Sequence, residues 1–239
     1  MQDNRFMNTA AAQASQIDVG LRQYMLGVYN HMTTALALTG FFAFAMKWAA
    51  LSIPGVAQLV FGSPLQYVVM FAPFALVMYL SFSIQSMPAG RARAVFYIYA
   101  ALMGLSLSTI LFAYTGSSVA RAFFITAGAF GALSIYGYST KRDLSAMGAF
   151  LIVGVFGLIL AMIVNLFVAS AGLEFMISIV GVLLFAGLTA YDTQKIKSMY
   201  AAGDNHTVTT RKSIYGALTL YLDFINMFLF LIQLLGNRE

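Results

Sequence analysis

Residues 147–169 read MGAFLIVGVFGLILAMIVNLFVA and contain no charged side chain. At 1.5 Å per residue, an α-helix of this length rises about 35 Å, enough to cross a membrane hydrocarbon core of about 30 Å. Glycines and Asn165 are tolerated in such a helix because neighbouring helices can pack against them. This stretch therefore predicts a transmembrane helix and sets the class of the whole chain.

Six further segments have the same character. Of all residues, 61% are hydrophobic and 9% are charged, against about 25% charged in soluble domains. We therefore predict an all-α polytopic membrane protein, with residues 1–27 as a cytoplasmic N-terminal arm and residues 28–239 as one seven-helix transmembrane domain. The predicted spans are 28–51, 66–87, 95–114, 119–138, 147–169, 173–195 and 213–235.

The basic residues predict the orientation of the bundle. Ten of the thirteen Lys and Arg fall in the arm or in the second, fourth and sixth connections, which lie on one side of the membrane. The positive-inside rule then places the N-terminus in the cytoplasm and the C-terminus outside. These ten residues are Arg5, Arg22, Arg91, Arg93, Lys141, Arg142, Lys195, Lys197, Arg211 and Lys212.

The expected partner of these charges is the lipid bilayer. The net charge of +5 is spread in pairs over short loops. It forms no continuous basic face or motif of the kind that reads a nucleic-acid groove, so we expect no nucleic-acid partner. The chain has no cysteine, which excludes disulfides and thiolate metal sites.

Two aspartates lie in the last two apolar spans. They are Asp192 in GLTAYDTQKIK, residues 187–197, and Asp223 in LTLYLDFINMFLFLIQLLG, residues 218–236. An ionised carboxylate in a membrane span is costly, so it marks a functional site by default. Both aspartates are equally far along the chain from the connection at 203–212, and on adjacent antiparallel helices their carboxyl groups would lie at similar depth and could touch.

Two carboxylates in one low-dielectric site cannot both ionise cheaply, so we expect them to share one proton. The protonated pair would tie the helices together. The doubly ionised pair would repel, and a cation, an arginine or a movement apart would relieve the repulsion. The alternative is a structural pair that only fixes the register of the two helices.

Paired aspartates on neighbouring helices also occur in intramembrane aspartyl proteases, where one carboxyl activates water. Here Asp223 stands in YLDF, where such a protease would need a GxGD turn, and no Pro-Ala-Leu motif follows. We therefore expect no enzymatic activity and no cofactor.

Three runs resemble one known family. GYSTKRDLS at 137–145, AYDTQKIK at 190–197 and LYLDFINMFLFLIQLLG at 220–236 are similar to stretches of the Bax inhibitor-1 family, also called the transmembrane Bax-inhibitor-motif family. The resemblance spans all seven predicted helices. It implies a bacterial inner-membrane protein with its seventh helix central. It also implies a calcium leak gated by a di-aspartyl pH sensor, in which Asp192 and Asp223 bind protons and transiently bind the permeant calcium.

The resemblance further implies an arginine, near the cytoplasmic end of the second helix, that locks against the sensor in the closed pore. SMPAGRARAV at 86–95 offers Arg91 and Arg93 for this role. The second span lacks the acidic residue that some members carry there. The alternative function is a non-conducting regulator that binds other membrane proteins, such as a membrane protease or a stress-response partner, because packing faces and partner faces look alike in lipid.

Overall fold

A computed structural model describes the backbone of residues 2–237 and the side chains of residues 19–237. The side chains of Arg5 and Arg238 lie outside the described residues. Within the described range the chain forms eight α-helices. They are α1 (Gln2–Ser52), α2 (Val56–Phe61), α3 (Leu65–Ser83), α4 (Ala89–Ala113), α5 (Gly116–Ser139), α6 (Ser145–Val168), α7 (Ala171–Ser198) and α8 (His206–Leu235).

Seven of these helices, all except α2, are long and apolar enough to cross a membrane. The predicted all-α class with seven spans is confirmed. The first span differs from the prediction in length, because α1 includes both residues 28–51 and nearly all of the predicted arm at 1–27. The cytoplasmic location of the arm stays a prediction.

The short helix α2 was not predicted. It lies in the connection between the first two spans, and none of its residues is buried. Gly55 precedes it with a φ of 86°, a left-handed conformation that glycine adopts without a steric penalty. Gly62 follows it. An exposed six-residue helix bounded by two glycines leaves no hydrophobic periodicity from which to predict it.

Polar side chains cap three of the long helices. The hydroxyls of Thr115 and Ser170 accept a hydrogen bond from the third backbone N–H beyond them, at the starts of α5 and α7. At the start of α8 the side chain of Asn205 accepts from the N–H of Val208 at 2.9 Å. Such caps satisfy backbone groups that have no partner within the helix. The Asn205 cap starts α8 at His206, ahead of the predicted span at 213–235.

Helix α8 is the centre of the bundle. It packs against α1, α4, α5 and α7. Of its most apolar 18 residues, 56% are buried, against 11% to 33% in the other six spans. Its Tyr221 packs edge-on against Phe96 and Tyr99 of α4, with ring centroids 5.8 Å and 5.6 Å away. This confirms that the last helix is central.

Candidate functional site

Helices α7 and α8 form an antiparallel pair that carries both membrane aspartates. The connection between them, residues 199–205, is short, so the two helices are neighbours along their whole length. Glycine lets them approach closely. A Cβ atom placed on Gly181 of α7 would lie 2.5 Å from the ring of Phe230 on α8, so a larger residue there would push the helices apart.

The side chains of Asp192 and Asp223 meet in this interface. They lie within hydrogen-bonding reach of each other, and the charge of Asp192 acts on Asp223. Asp192 is 9% exposed and Asp223 is 4% exposed. The structure therefore brings together the two carboxyl groups that the sequence analysis selected, in a buried position between two spans.

The environment of the two carboxyl groups favours a proton shared between them. The Oδ2 atom of Asp223 is buried and accepts no hydrogen bond from a donor group in the described part of the chain. Two ionised carboxylates are both acceptors only, so a hydrogen bond between them requires that one carries a proton. Burial and mutual repulsion both oppose double ionisation. The arrangement is thus suited to hold one proton between Asp192 and Asp223.

The cation nearest in sequence to the pair is Lys195, one turn beyond Asp192 on α7. It acts electrostatically on Asp192. Its ammonium group lies over the ring of Tyr191, 5.7 Å from the centroid, and the side chain is exposed. Lys195 therefore adds positive potential at the rim of the site.

The two candidate lock residues lie away from the aspartate pair. Arg91 and Arg93 lie in the first two turns of α4, and both are exposed. Arg93 is electrostatically coupled to His31 of α1, whose Nδ1 is 2.8 Å from the hydroxyl of Tyr97. Among the described residues, neither arginine forms an ion pair with Asp192 or Asp223.

A hydroxyl cluster beside the pair was missed by the sequence analysis. The side chain of Tyr29 on α1 lies beside the hydroxyl groups of Ser134 on α5 and Thr193 on α7. The Thr193 and Ser134 hydroxyls are 3.5 Å apart. Thr193 directly follows Asp192, so this cluster connects the site to two further helices. The only sequence signal was a threonine next to the aspartate in YDTQ.

Helix α5 approaches α7 closely at this level. A Cβ atom on Gly137 would lie 2.2 Å from the backbone oxygen of Ala190, two residues before Asp192. Only glycine allows that separation, because the atom it would meet is backbone and cannot rotate away. Gly137 thus helps to fix the position of Asp192 relative to α5.

The other polar residues of α8 do not extend the site. The hydroxyl of Thr219 and the side-chain amide of Asn226 both donate to carbonyls one turn back on α8 itself. Gln233 accepts a hydrogen bond from the hydroxyl of Ser178 on α7 at 3.3 Å. That contact ties the far end of the pair of helices together, away from the two aspartates.

The two aspartates provide few ligands for a metal ion. No group of three or more His, Cys, Asp or Glu residues that could hold a metal ion occurs among the described residues. Two carboxyl groups offer at most four oxygens, whereas Ca²⁺ prefers six to eight. The geometry fits brief contact with a partly hydrated cation better than a firmly bound calcium ion.

Comparison with known proteins covers both helices of the site. A family described as "Inhibitor of apoptosis-promoting Bax1" has a sequence profile that matches residues 21–239. The inner membrane protein YbhL of Escherichia coli is 47% identical over 223 residues, which cover 92% of this chain and 94% of that protein.

Two further bacterial relatives match to a similar extent. A protein of Rickettsia prowazekii is 46% identical over 231 residues, covering 97% of this chain and 96% of its own length. A protein of Deinococcus radiodurans is 45% identical over 227 residues, covering 92% of each chain. The similarity is therefore one of whole chains, with all seven spans included.

Proposed function

The chain belongs to the Bax inhibitor-1 family of multi-pass membrane proteins, and from this premise we propose that it is a pH-sensitive calcium leak channel gated by Asp192 and Asp223. The observation that carries the proposal is the contact between two buried carboxyl groups on neighbouring membrane helices. Neither the family description nor the relatives' names indicate an enzyme family.

In the proposed mechanism, protonation sets the distance between α7 and α8. With one shared proton the carboxyl groups hydrogen-bond and hold the two helices closed. When that shared proton leaves, two negative charges face each other where little water can screen them, and their repulsion favours separation of the helices. Leak should therefore increase as the pH rises through the titration of the pair.

Calcium is the proposed permeant ion, and it interacts with the pair only in passing. A doubly ionised pair attracts a divalent cation at the moment when the helices separate. Because the two carboxyl groups provide too few oxygens for a complete calcium shell, the ion keeps much of its water and can leave again. Rapid release is what a leak requires.

We propose that the arginine lock forms in a different conformational state, in which an arginine contacts the two aspartates. Arg91 and Arg93 are exposed at the same end of the bundle as Arg211, which bonds to the carbonyl of Gln85 just before α4. A long arginine side chain could turn inward from there. It would be attracted most strongly when both aspartates are ionised, so its role would be to restrain opening at high pH.

The proposed setting is the inner membrane of a bacterium, with the N-terminus in the cytoplasm and the C-terminus outside. Support comes from the positive residues in alternate connections and from a relative named as an inner membrane protein.

The test is calcium entry into liposomes that contain only the purified protein, followed with an internal calcium dye over a range of pH. We expect entry that increases with pH. Absence of entry at every pH would contradict the leak channel. It would favour the alternative of a non-conducting regulator that binds other membrane proteins, in which the aspartate pair serves packing or partner control.

A further inference from the structure

A long groove separates α1 from α5. Both helices pack on α8 but not extensively on each other. The space between them is a cavity of about 760 Å³. Its walls include Met25 on α1 and Ala127 on α5, and Phe224 of α8 lies at its floor. The groove therefore lies between two spans that both face lipid, and a molecule from the bilayer can enter it sideways.

The groove is long enough for one lipid tail. Along α1 its lining runs from Arg22 to Leu36. The fourteen helical steps from Arg22 to Leu36 rise about 21 Å, more than the roughly 15 Å depth of hydrocarbon in one leaflet. A second cavity of about 540 Å³ shares Leu36 and Phe224 with the first and continues the groove towards the opposite leaflet.

The charged group that lines the groove lies at one end of it. Arg22 lines that end, and among the residues whose side chains the structure describes, no acidic residue lines either cavity. Tyr138 also lines it, and the ammonium of Lys197 lies over the Tyr138 ring at 4.7 Å and donates to the Tyr138 carbonyl at 2.7 Å. Two cations therefore flank an apolar groove at the level where lipid headgroups lie.

We propose that this groove binds one phospholipid with a negatively charged headgroup, in the leaflet at the basic end of the bundle. The guanidinium of Arg22 binds the phosphate, Lys197 adds positive potential, and one acyl chain lies between α1 and α5 against Phe224. Guanidinium groups bind phosphate through paired, charge-assisted hydrogen bonds, which a neutral side chain cannot replace. Anionic lipids are attracted to juxtamembrane basic residues in the same way.

Two glycines on α5 provide a matched pair of variants. A Cβ atom at Gly131 or at Gly128 would meet no atom within 4 Å, so a larger side chain fits at either position. Gly131 lines the groove, whereas Gly128 is exposed and does not line it. Gly131→Leu therefore fills the groove, and Gly128→Leu makes the same change outside it.

The test is native mass spectrometry of the purified protein titrated with phosphatidylglycerol, which is anionic, or phosphatidylcholine, which is zwitterionic. We expect the wild type to retain one phosphatidylglycerol in preference to phosphatidylcholine. Arg22→Gln should weaken that binding roughly tenfold, as expected when one charge-assisted contact is lost. Gly131→Leu should abolish it, and Gly128→Leu should bind as the wild type does.

Three outcomes would overturn the proposal. Equal retention of the two lipids by the wild type would show that charge plays no part. Undiminished binding by Gly131→Leu would show that the lipid binds elsewhere. An equal loss in both glycine variants would show that binding does not depend on the groove. None of these measurements requires ion conduction. The proposed lipid site and the proposed leak channel are therefore tested independently of each other.

Discussion

The carboxyl groups of Asp192 and Asp223 lie within hydrogen-bonding reach of each other across the interface of α7 and α8, and both are largely buried. In the proposed mechanism, the number of protons on the pair determines whether the two helices attract or repel each other. The same contact would be a costly defect if its only role were structural, because two well-packed apolar residues would hold the helices without desolvating a carboxyl group.

Replacing Asp192 with asparagine should hold the channel closed. The new side-chain amide would donate a hydrogen bond to the Asp223 carboxylate in place of the shared proton, and an amide cannot ionise. We expect calcium entry into liposomes to stay at the low-pH level of the wild type at every pH. Entry that still rises with pH in Asp192→Asn would show that the sensor lies elsewhere.

If an arginine lock exists, removing the arginine should affect calcium entry only at high pH. An arginine that pairs with the ionised aspartates would restrain opening, so Arg91→Gln or Arg93→Gln should increase calcium entry at high pH. At low pH neither variant should differ from the wild type, because neither side chain contacts the protonated pair. If both variants match the wild type at all pH values, neither arginine is a lock.

The close contact of α5 with α7 predicts a large effect of one methyl group. Gly137→Ala would force the new Cβ against the backbone of Ala190. We expect it to lower the free energy of unfolding by roughly 1–3 kcal/mol, the usual cost of overpacking. Thermal unfolding in detergent measures this effect.

Gly128→Ala on the same helix is the control for that measurement. Its Cβ would meet no neighbour, so the change should be neutral or stabilise the protein by up to about 1 kcal/mol through helix propensity. Equal stability of the two alanine variants would contradict the close approach of α5 and α7.

Much of the fold could be predicted from sequence because lipid imposes simple constraints. A span needs about twenty apolar residues whatever its neighbours are, so hydropathy alone located the seven spans. The family resemblance, now confirmed, supplied the central position of the last helix. The exposed helix α2 and the early start of α8 depend on local caps such as Gly55 and Asn205, which hydropathy does not detect.

Part of the candidate site could also be predicted from the sequence. Asp192 and Asp223 stand out because a carboxylate is rare in a membrane span. The hydroxyl cluster of Tyr29, Ser134 and Thr193 does not stand out. Serine and threonine in membrane helices commonly bond back to their own helix, as Thr193 also does to the carbonyl of Thr189 at 2.7 Å. Only the packing of three helices reveals the second bond, and only the gap between α1 and α5 reveals the groove.

The most direct test of the shared proton compares Asp223→Asn with Asp143→Asn. Asp143 is an exposed aspartate in the α5–α6 connection, and hydrogen bonds from the side chain and then the backbone of Ser145 lower the pKa of its carboxyl below the ordinary value. It therefore stays ionised as the pH rises from the acidic side and gives no gating signal of its own. Asp143→Asn removes a carboxylate of the same chemistry from outside the site.

Calcium entry into liposomes should be measured for the wild type and both variants over one pH series. We expect that entry rises with pH in the wild type and in Asp143→Asn, and that it is low and independent of pH in Asp223→Asn. A pH-dependent rise that survives in Asp223→Asn would contradict gating by the shared proton.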